Sequence, residues 1–420
     1  MTPTFSTWGA VAGLIIAIVL IIRKAHPAYS LILGAFIGGA LGGGGLEATV
    51  GAMISGAQGM ASPIMRILTS GVLVGALIKT GAAQKIAESI VKTFGAKRAI
   101  PAIAIAAAII TAVGVFVDIA VITVAPVALA VGKKAGVNKE SILLAMLGGG
   151  KAGNIISPNP NTIATAEAFA VDLTSLMARN IVPCLVALVV AILLASLLAK
   201  KKKGLAIRSA DVENVNADMP TFLEAILGPV VAIALLALRP LFGINVDPLI
   251  ALPAGGLVCV LVAGRFRETV SITEFGLSKV SGVSILLLGT GAVAGVIKGS
   301  AIQSDFTAAI EAMNLAPFLL APISSVFLAA ATGSTTAAAT IASQTFSGTL
   351  LENGVSALSA GAMINAGATA IDQLPHGSFF HTTAGAAYVS FSERMKLIPY
   401  EACVGLTSTV VATVLYLLRF

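Results

Sequence analysis

Long apolar stretches recur through the whole chain, at 8–22, 29–41, 67–78, 100–131, 181–199, 222–238, 249–263, 283–297, 316–331 and 401–418. A helix that crosses a hydrocarbon core about 30 Å thick needs roughly 20 apolar residues. Most of these stretches reach or approach that length. In lipid, every backbone N–H and C=O must be bonded within the protein, which leaves helices or closed barrels. Barrel strands would show as alternating segments of about ten residues, whereas these runs are continuous. The composition agrees. Of 420 residues, 57% are hydrophobic and 11% charged, where a soluble domain carries about 25% charged residues. The expected fold is an all-α polytopic membrane protein, with the lipid bilayer as its solvent.

Charge and cysteine content narrow the function classes. A net charge of +7 fits the excess of Lys and Arg in cytoplasmic loops and implies no nucleic acid. Cys184, Cys259 and Cys403 each lie in or beside an apolar run, with no metal spacing and no disulfide framework. Arg23-Lys24 follow the first run and no basic segment precedes it. That pattern predicts a first span with its N-terminus outside rather than a cleaved signal. No cofactor motif and no nucleophile–base pattern is present, so an enzyme is the weakest class.

The chain resembles itself. "IKTGAAQ" at 78–84 has a counterpart in "IKGSAIQ" at 297–303, which places Lys79 and Lys298 219 positions apart. "SPNPNT" around Pro158 has a counterpart in "LPHGSF" around Pro375, 217 positions on. Two repeats are expected, 1–199 and 221–420, joined by a polar linker at 200–220. Lys200–Lys203 and Arg208 make that linker cytoplasmic. The run 100–131 has Lys97-Arg98 before it and Lys133-Lys134 after it. Both ends then face the cytoplasm, and the run is a re-entrant hairpin with its tip near 114–118. Its counterpart, about 315–350, is flanked by Asp305, Glu311 and Glu352, and should enter from outside. Related hairpins of opposite direction are the inverted-repeat signature of secondary transporters. Both termini are then expected outside.

Four helix breaks stand out at membrane depth: 114–118, 332–336, 153–162 and 372–378. Broken backbone is tolerated there only against protein or a watery cavity, so a substrate is expected between them. Asp118 is an intramembrane acid, either a proton carrier or a cap on the second hairpin arm. Ser334, Thr335 and Thr336 occupy the matching turn, as substrate contacts or as caps. Asn154, Ser157, Asn159, Asn161 and Thr162, with Asp372, Gln373 and His376, line the paired breaks. They either contact substrate or satisfy the broken backbone. Asp372 and His376 are also candidates for ion coupling, as is Glu167, which could titrate or meet Lys151. Lys151 lies in "GGGKAGN". A Walker loop needs G-x-x-x-x-G-K-[ST] between strand and helix, and neither the residues nor the context fit. Lys151 is a carboxylate counter-charge, a partner for a buried acid, or a snorkelling lysine.

These motifs resemble the gluconate permease family, GntP. "VFVDIAVITVAPVALAV" resembles its first-hairpin signature. "SPNPNTIATAEAF" is similar to its proline-rich break, "TGSTTAAAT" to its second hairpin, and "DQLPHGSFFHTTAGAAYVSFSER" to its final break. The resemblance spans nearly the whole chain. It implies membership of the ion transporter superfamily, an elevator built on a dimerised scaffold, and uptake of small hydroxycarboxylates with protons. The expected function is proton symport of a small organic anion, such as gluconate or 3-hydroxybutyrate, across a bacterial inner membrane. A sodium-coupled symporter and a cation/proton antiporter without organic substrate are the alternatives.

Overall fold

Polar caps decide where the apolar runs divide into helices. The structure, a computed structural model, describes residues 4–200, 204–208, 211, 219–301, 305, 308 and 316–419. Lys201–Lys203, Gln303, Glu311 and Leu315, which figure in the sequence argument, lie outside the described residues. The first half contains α1 (Thr7–Ile22), α2 (Pro27–Leu41), α3 (Gly45–Gln58), α4 (Ala61–Lys79), α5 (Ala82–Phe94), α6 (Ala99–Ala112), α7 (Val117–Ala135), α8 (Lys139–Asn154), α9 (Pro160–Ala168), α10 (Leu173–Arg179) and α11 (Ile181–Ala199). The second contains α12 (Phe222–Phe242), α13 (Pro248–Val262), α14 (Thr269–Lys298), α15 (Leu320–Thr332), α16 (Thr335–Glu352), α17 (Ala357–Gly367), α18 (Ser378–Ala386), α19 (Phe391–Met395) and α20 (Ile398–Leu417).

The chemistry of the starts is local. Ser6, Asn138, Asn159, Asp172, Asp247 and Ser334 each accept a hydrogen bond from the first turn of the helix that follows. Each offsets one orphan N–H. Thr221 with Glu224, and Ser390 with Glu393, form reciprocal capping boxes. Pro27, Pro160 and Pro248 sit at first-turn positions, where no N–H is needed.

Among the described residues, five helices are long and apolar enough to cross a membrane, or six if the pair α5 and α6, bent by 104°, counts as one span. Several expected spans fall short of that length; α1, α2 and α13 have 16, 15 and 15 residues. The run 100–131 is divided, as expected, into hairpin arms α6 and α7. Their connection turns at Gly114, whose φ of +112° disfavours any side chain. The second hairpin, α15 and α16, turns at Gly333 with φ +58°.

Two large buried clusters hold the molecule together. One joins α4 to α8 with α12 and α13; the other joins α1, α2 and α14 with α15 to α17. The first hairpin packs on α5, α8, α11 and α18, and the second on α1, α9, α14 and α17. Small residues let the backbones approach, as expected where lipid gives helices no hydrophobic reason to associate. A Cβ on Gly276 would sit 2.0 Å from the Gly71 carbonyl oxygen across the α4–α14 seam. The outer surface stays apolar. On α11, Ile181, Leu185, Val189, Leu193 and Leu197 form an exposed stripe at every fourth residue.

The linker is partly pinned. Leu205 N–H donates to Glu140 at 2.9 Å, and Lys139 pairs with Asp211 at 2.9 Å. The Lys139 ammonium holds the Asp211 carboxyl below the usual carboxylate range.

Candidate functional site: a cavity between hairpin tips and helix breaks

Both hairpin tips and both broken segments meet around one cavity of about 220 Å³. Its wall is largely made of helix N-termini. The start of α7 supplies Phe116, Val117 and Asp118, and the start of α16 supplies Ser334, Thr335 and Thr336. The start of α18 supplies Ser378 and Phe379, and α9 supplies Asn161 in its first turn. Asn154 at the end of α8, Asp372 in the second break, and Lys279 and Val283 of α14 complete the wall. Phe116 and Gly377, which precede α7 and α18, offer no side-chain cap to the first-turn N–H groups. Those groups carry the positive ends of their helix dipoles and suit an anion.

Asp118 is not the N-cap of α7; Phe116 is. The Asp118 carboxylate accepts a hydrogen bond from the Ile119 N–H at 2.9 Å and otherwise faces the cavity. Ser334 is the N-cap of α16 and accepts from Ala337 N–H at 3.3 Å. Capping and cavity exposure therefore coincide in that residue.

Lys151 is 2% exposed and does not reach the cavity wall. Its ammonium pairs with Asp372 and donates to Thr369 O at 2.8 Å and Gln373 Oε1 at 2.6 Å. The Phe379 ring lies 5.8 Å from it. The other oxygen of Asp372 accepts from the Thr335 hydroxyl. One buried ion pair thus ties α8 to the second break and the second hairpin tip. Of the readings open for Lys151, the geometry selects partner of a buried acid.

Asn159, Thr162 and Asn365 form the internal frame of the first break. Asn159 donates to Asn154 Oδ1 at 2.7 Å and accepts from Thr162 N–H at 3.1 Å. Asn365, on α17, donates to Ile155 O at 3.1 Å and accepts from Asn161 at 2.9 Å. Asn159, Thr162 and Gln373 lie behind the wall; the Thr162 hydroxyl bridges Asn159 and Asn365, and Asn159 and Gln373 satisfy broken backbone. Gln373 does so by donating to Ile398 O at 3.2 Å. Among the described residues, Ser157 Oγ and His376 Nε2 are buried and meet no hydrogen-bond partner, and neither residue lines the cavity. His376 abuts the tip glycine, Gly333. The second break runs from 368 to 377, earlier than the sequence expectation of 372.

Glu167 stands elsewhere. It pairs with Arg66 of α4, which also grips Asp247 through two bonds of 3.0 and 2.7 Å. The expected contact with Lys151 is absent because Arg66 takes the Glu167 charge and Asp372 takes that of Lys151. Among the described residues, no group of three or more His, Cys, Asp or Glu is placed to hold a metal ion.

Sequence reasoning missed Lys279, Asn365 and Arg66. Lys279 lies just ahead of the apolar run 283–297. In the structure it is inside a continuous helix of 30 residues. A single lysine between Glu274 and Lys298, one turn ahead of the apolar run, is the signal that could have found it.

Against known families, the model of the GntP family permeases matches residues 7–419. The chain belongs to the GntP permease family. An uncharacterized transporter of Haemophilus influenzae is 51% identical over 413 residues, 98% of each chain. Two Escherichia coli K12 relatives are more distant. The D-serine transporter DsdX is 23% identical over 359 residues, 78% of this chain and 80% of that one. The Gnt-II system L-idonate transporter is 23% identical over 358 residues, with the same coverage of 78% and 80%. The crystal structure of the Alcanivorax borkumensis YdaH transporter, described as having an unusual topology, superposes with a TM-score of 0.67 at 17% identity. It covers 98% of this chain and 99% of that one, which shows a shared fold. This GntP permease is thus a transporter and a multi-pass membrane protein, and the resemblance seen in its hairpin and break motifs extends over nearly its whole length.

Proposed function

We propose that this permease imports a small hydroxylated carboxylate by symport with protons. The observation that carries the reading is the convergence of four helix N-termini, from α7, α9, α16 and α18, on one polar cavity of about 220 Å³. N-terminal dipoles at broken helices suit an anionic substrate near the bilayer midplane. The volume lies below the roughly 300–1,000 Å³ of drug-sized ligand sites, so it suits a small metabolite. Hydroxyls and amides from Ser334, Thr335, Thr336, Asn154 and Asn161 suit the hydroxyl groups of such a ligand. D-serine and L-idonate, named for the two distant relatives, are both small carboxylates with hydroxyl groups. Asp118 is the proton carrier in this reading: an intramembrane acid on the cavity wall with no ion pair of 4.0 Å or less among the described residues.

The architecture fits within the same proposal. Residues 1–199 and 221–420 would be inverted repeats joined by the cytoplasmic linker 200–220. Supporting this, the order hairpin, helix, break, short helices, long helix occurs at α6–α11 and again at α15–α20. Hairpins and broken segments would move as one unit against a scaffold of α1–α4 and α12–α14. That elevator would work as a homodimer in a bacterial inner membrane, with both termini outside.

Proteoliposome uptake tests the reading. The probes are D-gluconate, L-idonate, D-serine, 3-hydroxybutyrate and lactate, each under an imposed pH gradient or an imposed sodium gradient. The expected result is accumulation of at least one of them driven by the pH gradient. Accumulation that tracks sodium and ignores pH ends the proton assignment. Sodium–proton exchange with no carboxylate uptake ends the symporter assignment.

A further inference from the structure

Lys279 borders the cavity from α14. It lies ten residues into that helix, roughly 15 Å along the axis from Thr269 at 1.5 Å per residue, and it is half-buried one turn ahead of the apolar run 283–297. A cation beside an apolar run is retained where it faces a cavity or a partner charge. Among the described residues, the buried cations Lys139, Lys151 and Arg394 hold Asp211, Asp372 and Glu401. Lys279 has no such ion pair among the described residues. Its ammonium lies 4.8 Å from the Phe275 ring centroid and borders the cavity. Asp118 lines the same cavity and closes no ion pair of 4.0 Å or less with Lys279.

We propose that Lys279 is the counter-charge for the substrate carboxylate, and that Asp118 competes with that carboxylate for it. This deepens the symport reading above and rests on it. The charged side chains that line the cavity are Asp118, Lys279 and Asp372; Lys79 lies 4.5 Å from the same Phe275 ring as Lys279 but is not part of the cavity wall. Lys279 faces Asp118 from α14, and Asp372 faces it from the second break with Lys151 behind; His376 stands at the second hairpin tip. Lys151 and Asp372 cancel. With Asp118 ionised, Lys279 is also balanced and the cavity is neutral, so a bare anion gains little by entering. A proton on Asp118 leaves the cavity with one positive charge, which a carboxylate neutralises. Proton and monoanion then load together, and the loaded site is electrically neutral. Coupling follows from charge balance alone and needs no contact between the two.

Transport by the purified full chain in proteoliposomes tests this, with the five probes above at pH 6 and pH 7.5. Lys279→Gln is expected to raise KM at least tenfold for every transported carboxylate and to flatten the pH dependence of KM. Lys279→Arg should keep both within a few-fold of wild type. A Lys279→Gln protein with the wild-type KM and pH profile overturns the assignment and leaves the symporter standing. Wild-type protein that moves no carboxylate overturns both. Chemical rescue separates the role from folding. Lys279→Cys is made in a Cys403→Ser background, since Cys184 and Cys259 are buried. Aminoethyl methanethiosulfonate restores a cation through a mixed disulfide and is expected to restore uptake. The anionic sulfonatoethyl reagent should not. Equal effects of the two reagents contradict the proposal.

Discussion

Lys151 shows how a residue can be visible in a sequence while its role is not. A lone lysine among glycines marked the segment, but its partner, Asp372, lies 221 positions away and only the fold brings the two together. Burial makes the pair fragile to single changes. Removing one partner of a buried ion pair costs about 3–5 kcal/mol, because the other charge is left uncompensated. Lys151→Met should therefore lose most of the folded protein, measured as thermal unfolding and as yield after extraction. Lys151→Met combined with Asp372→Asn should recover a substantial part of that loss. Asp118 belongs to the opposite case. Its apolar neighbours made it conspicuous, and the structure leaves its carboxylate on the cavity wall. Asp118→Asn should keep the protein folded and able to exchange substrate across equal pH, while accumulation against a gradient is lost. Normal accumulation by that variant removes Asp118 from the coupling role.

At the scale of elements, hairpins and breaks were legible because Gly, Pro, Asn and Ser interrupt the runs for local reasons. Asn159 and Pro160 start α9 by capping and by a preset φ. The end of α17 was not legible. "AGATAID" carries no strong local stop, and the helix ends at Gly367 in tertiary context; a Cβ there would sit 2.1 Å from the Ser325 hydroxyl. The glycines of "GGGKAGN" are helical and close-packed, so the helix continues through them to Asn154. A Cβ on Gly149 would sit 2.0 Å from Ala104 O, and one on Gly153 2.1 Å from Ala108 O. Backbone cannot yield as a flexible side chain can. Gly149→Ala and Gly153→Ala should each separate α6 from α8 and lower the unfolding temperature markedly. Gly51→Ala, in α3 with nothing within 4 Å of the added carbon, should be neutral or stabilising by up to about 1 kcal/mol. Equal effects at Gly51 and Gly153 would mean that the α6–α8 contact is not what holds the hairpin.

For the whole molecule, the apolar runs predicted a polytopic helical protein, and the order of motifs predicted its family. Which helices touch could not be deduced, since apolar faces in lipid carry little pairing information. The ionic links are a case in point. Arg66 of α4 holds Glu167 of α9, and Arg239 of α12 holds Asp172 ahead of α10 at 3.0 Å. In the proposed elevator, both links join scaffold to moving unit. Glu167→Gln is then expected to change turnover at least threefold while leaving KM and pH-driven accumulation intact. Loss of pH coupling in that variant would return Glu167 to the proton pathway.

In the proposed site a small carboxylate sits among the helix N-termini between the two hairpin tips. Cryo-electron microscopy of the full chain, saturated with whichever of the five probes is transported best, would image it there. Ligand density is expected within hydrogen-bond reach of Thr335, Asn161 and the first-turn N–H groups of α7 and α18. A fully occupied ligand elsewhere, with this cavity empty, would contradict that placement.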